Sequence, residues 1–363
     1  MMFKNKLALA ILAAGISTQA AAAEIGEFNG TKLSIGGYVK AEGVYDMPEN
    51  GSDDFAGSMR QTRLNVSAVK QVDGHTLKAF VEGDFWDNNI GADFADGTYG
   101  LRLRHAYVAV DNVTVGQTWN GQFFANAPFD VEMVNLWGLG VGTIAGNGAV
   151  VRPDLVAHYT LGGLRLTLQD PVQEGSAYPD MVAAYTYRTG GHAFNAAITG
   201  REVQDTGNNG DDTEFGAALS LAAKFQFADT TLAVSGFTGE GAGVYAGWGY
   251  NGGAAGPNIS DVDGAGDLIK TTGMTAGITQ KFSSNLRGTV RYGQVKADEV
   301  AATVEDDTLD MVNVNLIYTY MPGLDIGVEW RDQSATTRPT AVSADTSGRP
   351  EGQQVELFAM LKF

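Results

Sequence analysis

The final stretch of the chain, Gln353-Gln354-Val355-Glu356-Leu357-Phe358-Ala359-Met360-Leu361-Lys362-Phe363, is the most informative part of the sequence. Its odd positions from Val355 onward are apolar, whereas Gln354, Glu356 and Lys362 occupy even positions. Successive side chains of a strand point to opposite faces, so this pattern predicts a strand with one apolar face. In an outer-membrane barrel, lipid covers that face and a terminal aromatic residue lies at the membrane interface. An edge strand of a soluble β protein is the alternative.

The same alternation recurs along the chain and predicts sixteen strands. They cover 31–46, 58–72, 75–87, 99–110, 113–119, 150–161, 164–170, 180–188, 192–201, 213–227, 230–239, 271–282, 285–296, 308–320, 324–333 and 353–363. Tight turns alternate with longer loops, which are 47–57, 88–98, 120–149, 171–179, 202–212, 240–270, 297–307 and 334–352. The sequence therefore predicts an all-β fold, a sixteen-stranded antiparallel transmembrane β-barrel with short periplasmic turns and long extracellular loops.

The composition excludes several classes of protein. The 363 residues have a mean hydropathy of -0.10, and after the N-terminus no run reaches the ~20 apolar residues of a membrane-spanning helix. A formal charge of -18 argues against nucleic acid as a partner. The absence of cysteine excludes disulfides and thiol chemistry.

The N-terminus has the three parts of a secretory signal peptide. Lys4 and Lys6 precede an apolar run over 7–16, and Ala21-Ala22-Ala23 forms a small-residue cleavage site. We therefore predict a cleaved signal peptide over 1–23 and an outer-membrane barrel over 24–363.

The lumen is the predicted functional surface, because sixteen strands enclose a water-filled space. The inward-facing candidates for solute contact are Arg63, Lys78, Glu82, Asp84, Arg102, Arg104, Arg165 and Arg291. Arg102 and Arg104 point the same way, and guanidinium groups match the geometry of carboxylates and phosphates, so these residues favour anions. Alternatively, they pair with Glu82 and Asp84 and neutralise the wall. Both can hold, since a paired arginine keeps spare donors.

The loop over 120–149 is unusually apolar for an exposed segment. If it folds inward, its aromatic residues are buried and it narrows the pore. The predicted constriction residues are Phe123, Phe124, Asp130, Glu132 and Trp137. A surface loop at a trimer contact is the alternative.

Aromatic residues near strand ends, among them Tyr45, Trp119 and Trp330, are predicted to form interfacial girdles. The acidic loop that contains Asp261, Asp263 and Asp267 is predicted to be solvated, with a calcium site as the alternative.

Enzyme activity has little support in the sequence. The four histidines are His75, His105, His158 and His192. Alternation places His105 on the lipid face, His158 faces the lumen without an assignable acid or serine, and a Gly-x-Ser-x-Gly motif is absent. We predict no catalytic residue, no metal site and no cofactor.

Five motifs resemble the DcaP-type trimeric porins of Gram-negative bacteria. They are Arg60-Gln61-Thr62-Arg63-Leu64, Val81-Glu82-Gly83-Asp84-Phe85, Leu101-Arg102-Leu103-Arg104-His105-Ala106-Tyr107, Gly116-Gln117-Thr118-Trp119 and Arg152-Pro153-Asp154. They lie in the first half of the mature chain. Some members of this family carry a coiled coil before the barrel, whereas only 24–30 precede the first predicted strand here.

The resemblance implies a homotrimeric outer-membrane channel for small anionic solutes, including dicarboxylates. Its partners would be outer-membrane lipid and lipopolysaccharide, further copies of the chain, and the solutes. We therefore expect a porin that passes small hydrophilic solutes by passive diffusion and prefers anions. A non-conducting structural or adhesive barrel is the alternative.

Overall fold

The computed structural model describes residues 22–49, 51–85, 100–134, 152–172, 175–204, 213–246, 261–262, 266–298, 307–335 and 352–363. The predicted signal peptide lies outside these residues except for Ala22 and Ala23. The strands are β1 (Ala23–Phe28), β2 (Thr31–Pro48), β3 (Asp54–Ser58), β4 (Arg63–Val72), β5 (His75–Asp84), β6 (Arg102–Val110), β7 (Val113–Gln117), β8 (Val156–Leu161), β9 (Leu164–Gln169), β10 (Asp180–Thr189), β11 (His192–Gln204), β12 (Thr213–Phe227), β13 (Thr230–Glu240), β14 (Lys270–Lys281), β15 (Leu286–Ala297), β16 (Asp307–Met321), β17 (Leu324–Ala335) and β18 (Gly352–Lys362).

Short helices interrupt two of the loops. They are α1 (Gly121–Asn126) and the 3-10 turns Ala127–Phe129 and Gly243–Tyr245. None of the helices in the described part of the chain is long and apolar enough to cross a membrane.

The strands close into a ring. From β4 to β18 each strand pairs antiparallel with the next, and β18 pairs with β2. The other edge of β2 pairs with β3 and β4, which share one position in the ring. With β1 outside the ring, sixteen positions remain, and the predicted fold class is confirmed.

The sequence did not predict β1, which lacks regular alternation. It forms a hairpin with the start of β2, with Ala23 opposite Ile35. The N–H of Phe363 donates to the carbonyl of Gly37, so β18 ends on the same edge of β2 where β1 begins.

Several strand boundaries differ from prediction. β3 lies almost wholly in the predicted loop 47–57, and the predicted strand 58–72 is observed as β4, which begins at Arg63. The predicted strand 150–161 begins only at Val156 among the described residues, since Pro153 has no N–H for a sheet ladder.

The distribution of side chains is the reverse of that in a soluble protein. On β18, Leu357 is 58% exposed on the outer face, while the neighbouring Glu356 on the inner face is 0% exposed. Ladders of buried polar and exposed apolar residues recur around the ring, for example Asn315 beside Leu316 on β16. This arrangement is typical of a barrel whose outer surface meets lipid.

A β-bulge in β6 overturns the prediction for His105. The register shifts between Glu82 and Gly83 of β5, so that Arg104 and His105 both face the lumen. His105 is buried and contacts Thr118 rather than lipid. A bulge adds one residue to one strand and thereby changes which face the following side chains occupy.

Trp119 is also wrongly predicted as a girdle residue. It follows the end of β7, and its ring lies 4.7 Å from the His105 ring, centroid to centroid. The reorientation of His105 by the bulge therefore leaves Trp119 packed against the inner wall.

Candidate functional site

Four arginines gather on the inner wall near the extracellular end of the barrel. We call Arg63, Arg102, Arg104 and Arg152 the arginine cluster. Its first three members begin β4 and β6 on the lumen side, and Arg152 precedes β8. The outer face of these strands carries Leu64 and Leu103, which are exposed, so period-two alternation sorts the charges inward.

Two carboxylates on β5 hold half of the cluster. The Arg102 guanidinium donates to both Asp84 oxygens, with Nε–Oδ1 and Nη2–Oδ2 distances of 2.9 and 2.8 Å. Arg104 donates from Nε to Glu82 Oε1 at 3.0 Å and from Nη1 to Asp84 Oδ2 at 2.6 Å. Charge pairing therefore accompanies the cluster, as one of the two alternatives from sequence predicted.

The other half of the cluster stacks on aromatic rings. The Arg63 guanidinium lies 5.3 Å from the Tyr38 ring centroid, and the Arg152 guanidinium lies 5.0 Å from that of Trp119. The buried Nε of Arg63 has no hydrogen-bond partner among the described residues. Burial and the neighbouring Arg104 hold the pKa of Arg152 well below its usual range. Four guanidinium groups against two carboxylates leave excess positive charge here.

A segment of the long loop after β7 crosses the lumen, and we call residues 120–134 the first inward segment. At its start, the Gly121 N–H donates to Gln169 Oε1 on β9 at 2.9 Å. At its end, the Val134 N–H donates to Glu329 Oε2 on β17 at 2.9 Å, and Lys40 Nζ donates to the Val134 carbonyl at 2.7 Å. The anchors lie on well-separated strands of the ring, so the segment spans the interior.

Two acidic residues fasten the middle of the segment to β15. Asp130 accepts from Arg291, with a salt-bridge distance of 2.8 Å from Nη2 to Oδ2. Glu132 accepts from Arg287 Nε and Nη2 at 2.6 and 2.7 Å. Gly277 on β14 gives the segment room, since a Cβ there would lie 2.6 Å from Val131 Cγ2.

The other predicted residues are placed as follows. Phe123 and Phe124 belong to α1, and Trp137 lies outside the described residues. Lys78 Nζ lies 5.2 Å from the Phe80 ring centroid on the inner wall. Arg165 Nε donates to Thr160 Oγ1 at 3.3 Å.

The lumen opens toward the periplasm below the first inward segment. A cavity of about 720 Å³ is lined by residues that include Arg287, Thr319, Asp325 and Lys362. Since Arg287 also holds Glu132, the cavity reaches the base of the segment.

A second polar network was missed from the sequence. Asp261 is fully buried and pairs with Arg201, with an Oδ2–Nη1 distance of 3.0 Å. Burial raises the pKa of the Asp261 carboxyl to about 6. Asp261 was predicted as part of a solvated loop, and that prediction is wrong because the loop returns into the lumen to meet Arg201.

The calcium alternative involved Asp263, which lies outside the described residues. Among the residues that are described, no group of three or more histidine, aspartate or glutamate side chains is arranged to hold a metal ion.

Known proteins resemble this chain in fold. The outer membrane channel DcaP of Acinetobacter baumannii superposes with a TM-score of 0.71 at 18% identity, covering 94% of this chain and 100% of that one. An anion-selective porin from Comamonas acidovorans gives 0.65 at 12% identity, covering 92% and 100%. The trimer form of OmpT from Vibrio cholerae gives 0.60 at 13% identity, again covering 92% and 100%.

Sequence comparison is also informative. No curated protein matches the chain. The model of the Gram-negative porin family, however, matches residues 8–337, well over half of the sequence. With its closed barrel, crossed lumen and outward apolar face, the chain belongs to the Gram-negative porin family and is a channel-forming barrel of the outer membrane.

Proposed function

We propose that this channel passes small hydrophilic solutes by passive diffusion and prefers anions, among them mono- and dicarboxylates. The arginine cluster is the observation that carries this proposal. Its four guanidinium groups, all of them hydrogen-bond donors, face two carboxylates. A carboxylate that passes the wall would accept hydrogen bonds from these donors in the two-pronged geometry that arginine favours.

The cluster is also accessible from the lumen. The Arg102 side chain is 25% exposed even though it binds Asp84. The anion selectivity of the Comamonas porin, which shares the fold, is consistent with this reading.

We further propose that the first inward segment narrows the pore. Its anchors on β9, β15 and β17 hold it across the lumen, which is the position from which a segment limits the size of passing solutes. The pore would then be bounded by this segment on one side and by the arginine cluster on the other.

A homotrimer embedded in outer-membrane lipid and lipopolysaccharide is the assembly that we propose. The trimer form of OmpT shows that a barrel of this fold can assemble in threes. The family and fold indicate a channel rather than an enzyme.

The test is the reversal potential of the purified protein in a planar bilayer under a salt gradient. Unit charges about 8 Å apart in water interact by about 0.5 kcal/mol, or roughly a twofold change in partition. Each charge removed lowers anion partition and raises cation partition by this factor, so Arg63→Gln and Arg152→Gln should each lower the anion-to-cation permeability ratio about fourfold. Lys32→Gln, which removes an exposed charge from the periplasmic end of β2, is the matched control and should have no effect.

Two outcomes would contradict the proposal. Cation selectivity in the unaltered protein would mean that the acidic residues of the loops govern entry. Absence of conductance steps would favour the structural or adhesive barrel.

A further inference from the structure

A second part of the chain enters the lumen from the loop between β13 and β14. We call residues 241–246, 261–262 and 266–269 the inner cap. Its members Val244, Ala246 and Ile269 are buried against inward-facing side chains that include Phe237 on β13 and Val295 on β15. This packing is apolar and continuous, so the inner cap occupies the part of the lumen next to the extracellular ends of these strands.

Close backbone approach shows that the wall is shaped for the inner cap. A Cβ on Gly243 would lie 2.4 Å from Thr271 Oγ1, and a Cβ on Gly216 would lie 2.5 Å from the Gly241 carbonyl oxygen. Gly241 itself has a φ of +64°, in the left-handed region that glycine tolerates. The inner cap therefore packs closely against the wall at positions where only glycine leaves enough space.

A buried chain of polar contacts fixes the inner cap to β10 and β11. Asp261 accepts from Arg201 Nη1 at 3.0 Å and from the Val244 N–H at 3.1 Å. The hydroxyl of Tyr245 donates to Asp180, which lies 4.0 Å from the Arg201 guanidinium. Arg201 is thus the cation between two buried carboxylates.

Gln169 joins the inner cap to the first inward segment. Its Nε2 donates to the Tyr245 hydroxyl at 2.7 Å, while its Oε1 accepts from the Gly121 N–H at 2.9 Å. One side-chain amide on β9 therefore fixes the position of the inner cap relative to the first inward segment.

The exposure of the inner-wall arginines shows which side of the lumen these elements leave open. Arg201, Arg291 and Arg331, on β11, β15 and β17, are 0%, 1% and 2% exposed. In the arginine cluster, Arg63, Arg102 and Arg152 remain partly exposed, whereas Arg104, which pairs with Glu82 and Asp84, is 3% exposed. On the opposite side, the partly exposed Arg287 lies below the first inward segment, in the cavity on the periplasmic side. Above that segment, the open part of the lumen therefore lies along the wall that carries Arg63, Arg102 and Arg152.

We propose that the inner cap is a second barrier in the pore, positioned by Arg201, and that it and the first inward segment together confine solutes to the arginine-bearing wall. Arg201 is a positioning residue in this scheme, since it acts through Asp261 and not on the solute. The inference rests on the proposed function, because a barrier matters only in a conducting pore.

The experiment combines chemical labelling with conductance. The chain has no cysteine, so Val244→Cys places a single thiol in the buried inner cap. We expect a water-soluble maleimide to label it slowly in the folded protein. Adding Arg201→Gln leaves Asp180 and Asp261 without their cation, and loss of one partner from a buried ion pair should raise the labelling rate about a hundredfold. Single-channel conductance should rise in Arg201→Gln as well.

Two further variants serve as a control and as an independent test of the docking. Arg188→Gln removes an exposed arginine from the periplasmic end of β10 and should change neither readout. Tyr245→Phe removes one hydroxyl and keeps the ring, so it should give an intermediate labelling rate even if Arg201→Gln fails to fold. Heat-dependent mobility on a denaturing gel reports whether each variant is a closed barrel.

The outcomes separate the claims. Rapid labelling of Val244→Cys with Arg201 intact would overturn the docked position of the inner cap. Faster labelling in Arg201→Gln without a conductance change would show that the cap is docked but does not bound the pore. If labelling follows the expectation but no variant conducts, the proposed channel function fails while the docking stands.

Discussion

At the scale of single residues, burial distinguishes ion pairs of the same chemistry. Asp130 and Arg291 form a pair whose side chains are 8% and 0% exposed, whereas Glu132 and Arg287 are 34% and 17% exposed. Removing one partner of a buried pair leaves an uncompensated charge and costs about 3–5 kcal/mol. Exposed pairs contribute about 0–1 kcal/mol.

The two anchors of the first inward segment should therefore differ in strength. Asp130→Asn should loosen the segment and produce frequent conductance fluctuations, because Arg291 is left buried without its carboxylate. Glu132→Gln should change the recordings little, since water reaches both partners. Single-channel recordings at equal voltage compare them, and equal fluctuation in the two variants would contradict this ranking.

At the scale of the element, β18 has one face toward the lumen and one face toward lipid. Leu357 lies in the middle of its outer face, while Gln353 lies on the same face near the extracellular end. The apolar band of a bilayer penalises charge most at its centre.

The loss of stability caused by an arginine substitution on this strand should therefore depend on the depth of the residue in the membrane. Leu357→Arg should lower the free energy of unfolding by about 2–4 kcal/mol, and Gln353→Arg by about 0–1 kcal/mol. Urea unfolding from lipid bilayers measures both. Equal costs at the two positions would mean that the outer face of β18 does not meet lipid.

At the scale of the whole molecule, the wall of the barrel is uneven in height. Strands β7, β8 and β9 have 5, 6 and 6 residues, whereas β12 and β16 have 15 each. At about 3.4 Å per residue, the short strands reach about 17–20 Å before tilt, less than the apolar band of about 25 Å. Their exposed apolar residues thus suit contact with a second copy of the chain better than contact with lipid.

Cysteine crosslinking tests this assignment of the trimer face. Leu166→Cys on β9 should yield crosslinked dimers with a long bifunctional maleimide, because β9 would lie near the neighbouring copy and each copy carries one thiol. Leu221→Cys on β12 is the matched control, equally apolar and exposed but on a strand long enough to face lipid. Crosslinking at Leu221 that equals crosslinking at Leu166 would contradict the assignment.

Period-two alternation was sufficient to predict the barrel, its strand number and the inward direction of Arg63, Arg102 and Arg104. The alternation within each strand shows which residues belong to each of its two faces. The number of such strands, joined by short turns, then determines the size of the closed barrel. The clustering of arginines near Glu82 and Asp84 also follows from neighbouring strands, whose pairing is local in sequence.

Only the tertiary structure showed the positions of two kinds of residue. The first have partners that are remote in sequence, and the second follow a bulge that interrupts the alternation of their strand. The bulge opposite Gly83 turned His105 inward, and alternation cannot reveal an extra residue in one strand. The pairing of Asp261 with Arg201 joins residues 60 positions apart, so loop composition indicated solvent where the fold supplied a buried cation. Strand periodicity is a local property, whereas the path of a loop through the lumen depends on side chains contributed by the whole ring.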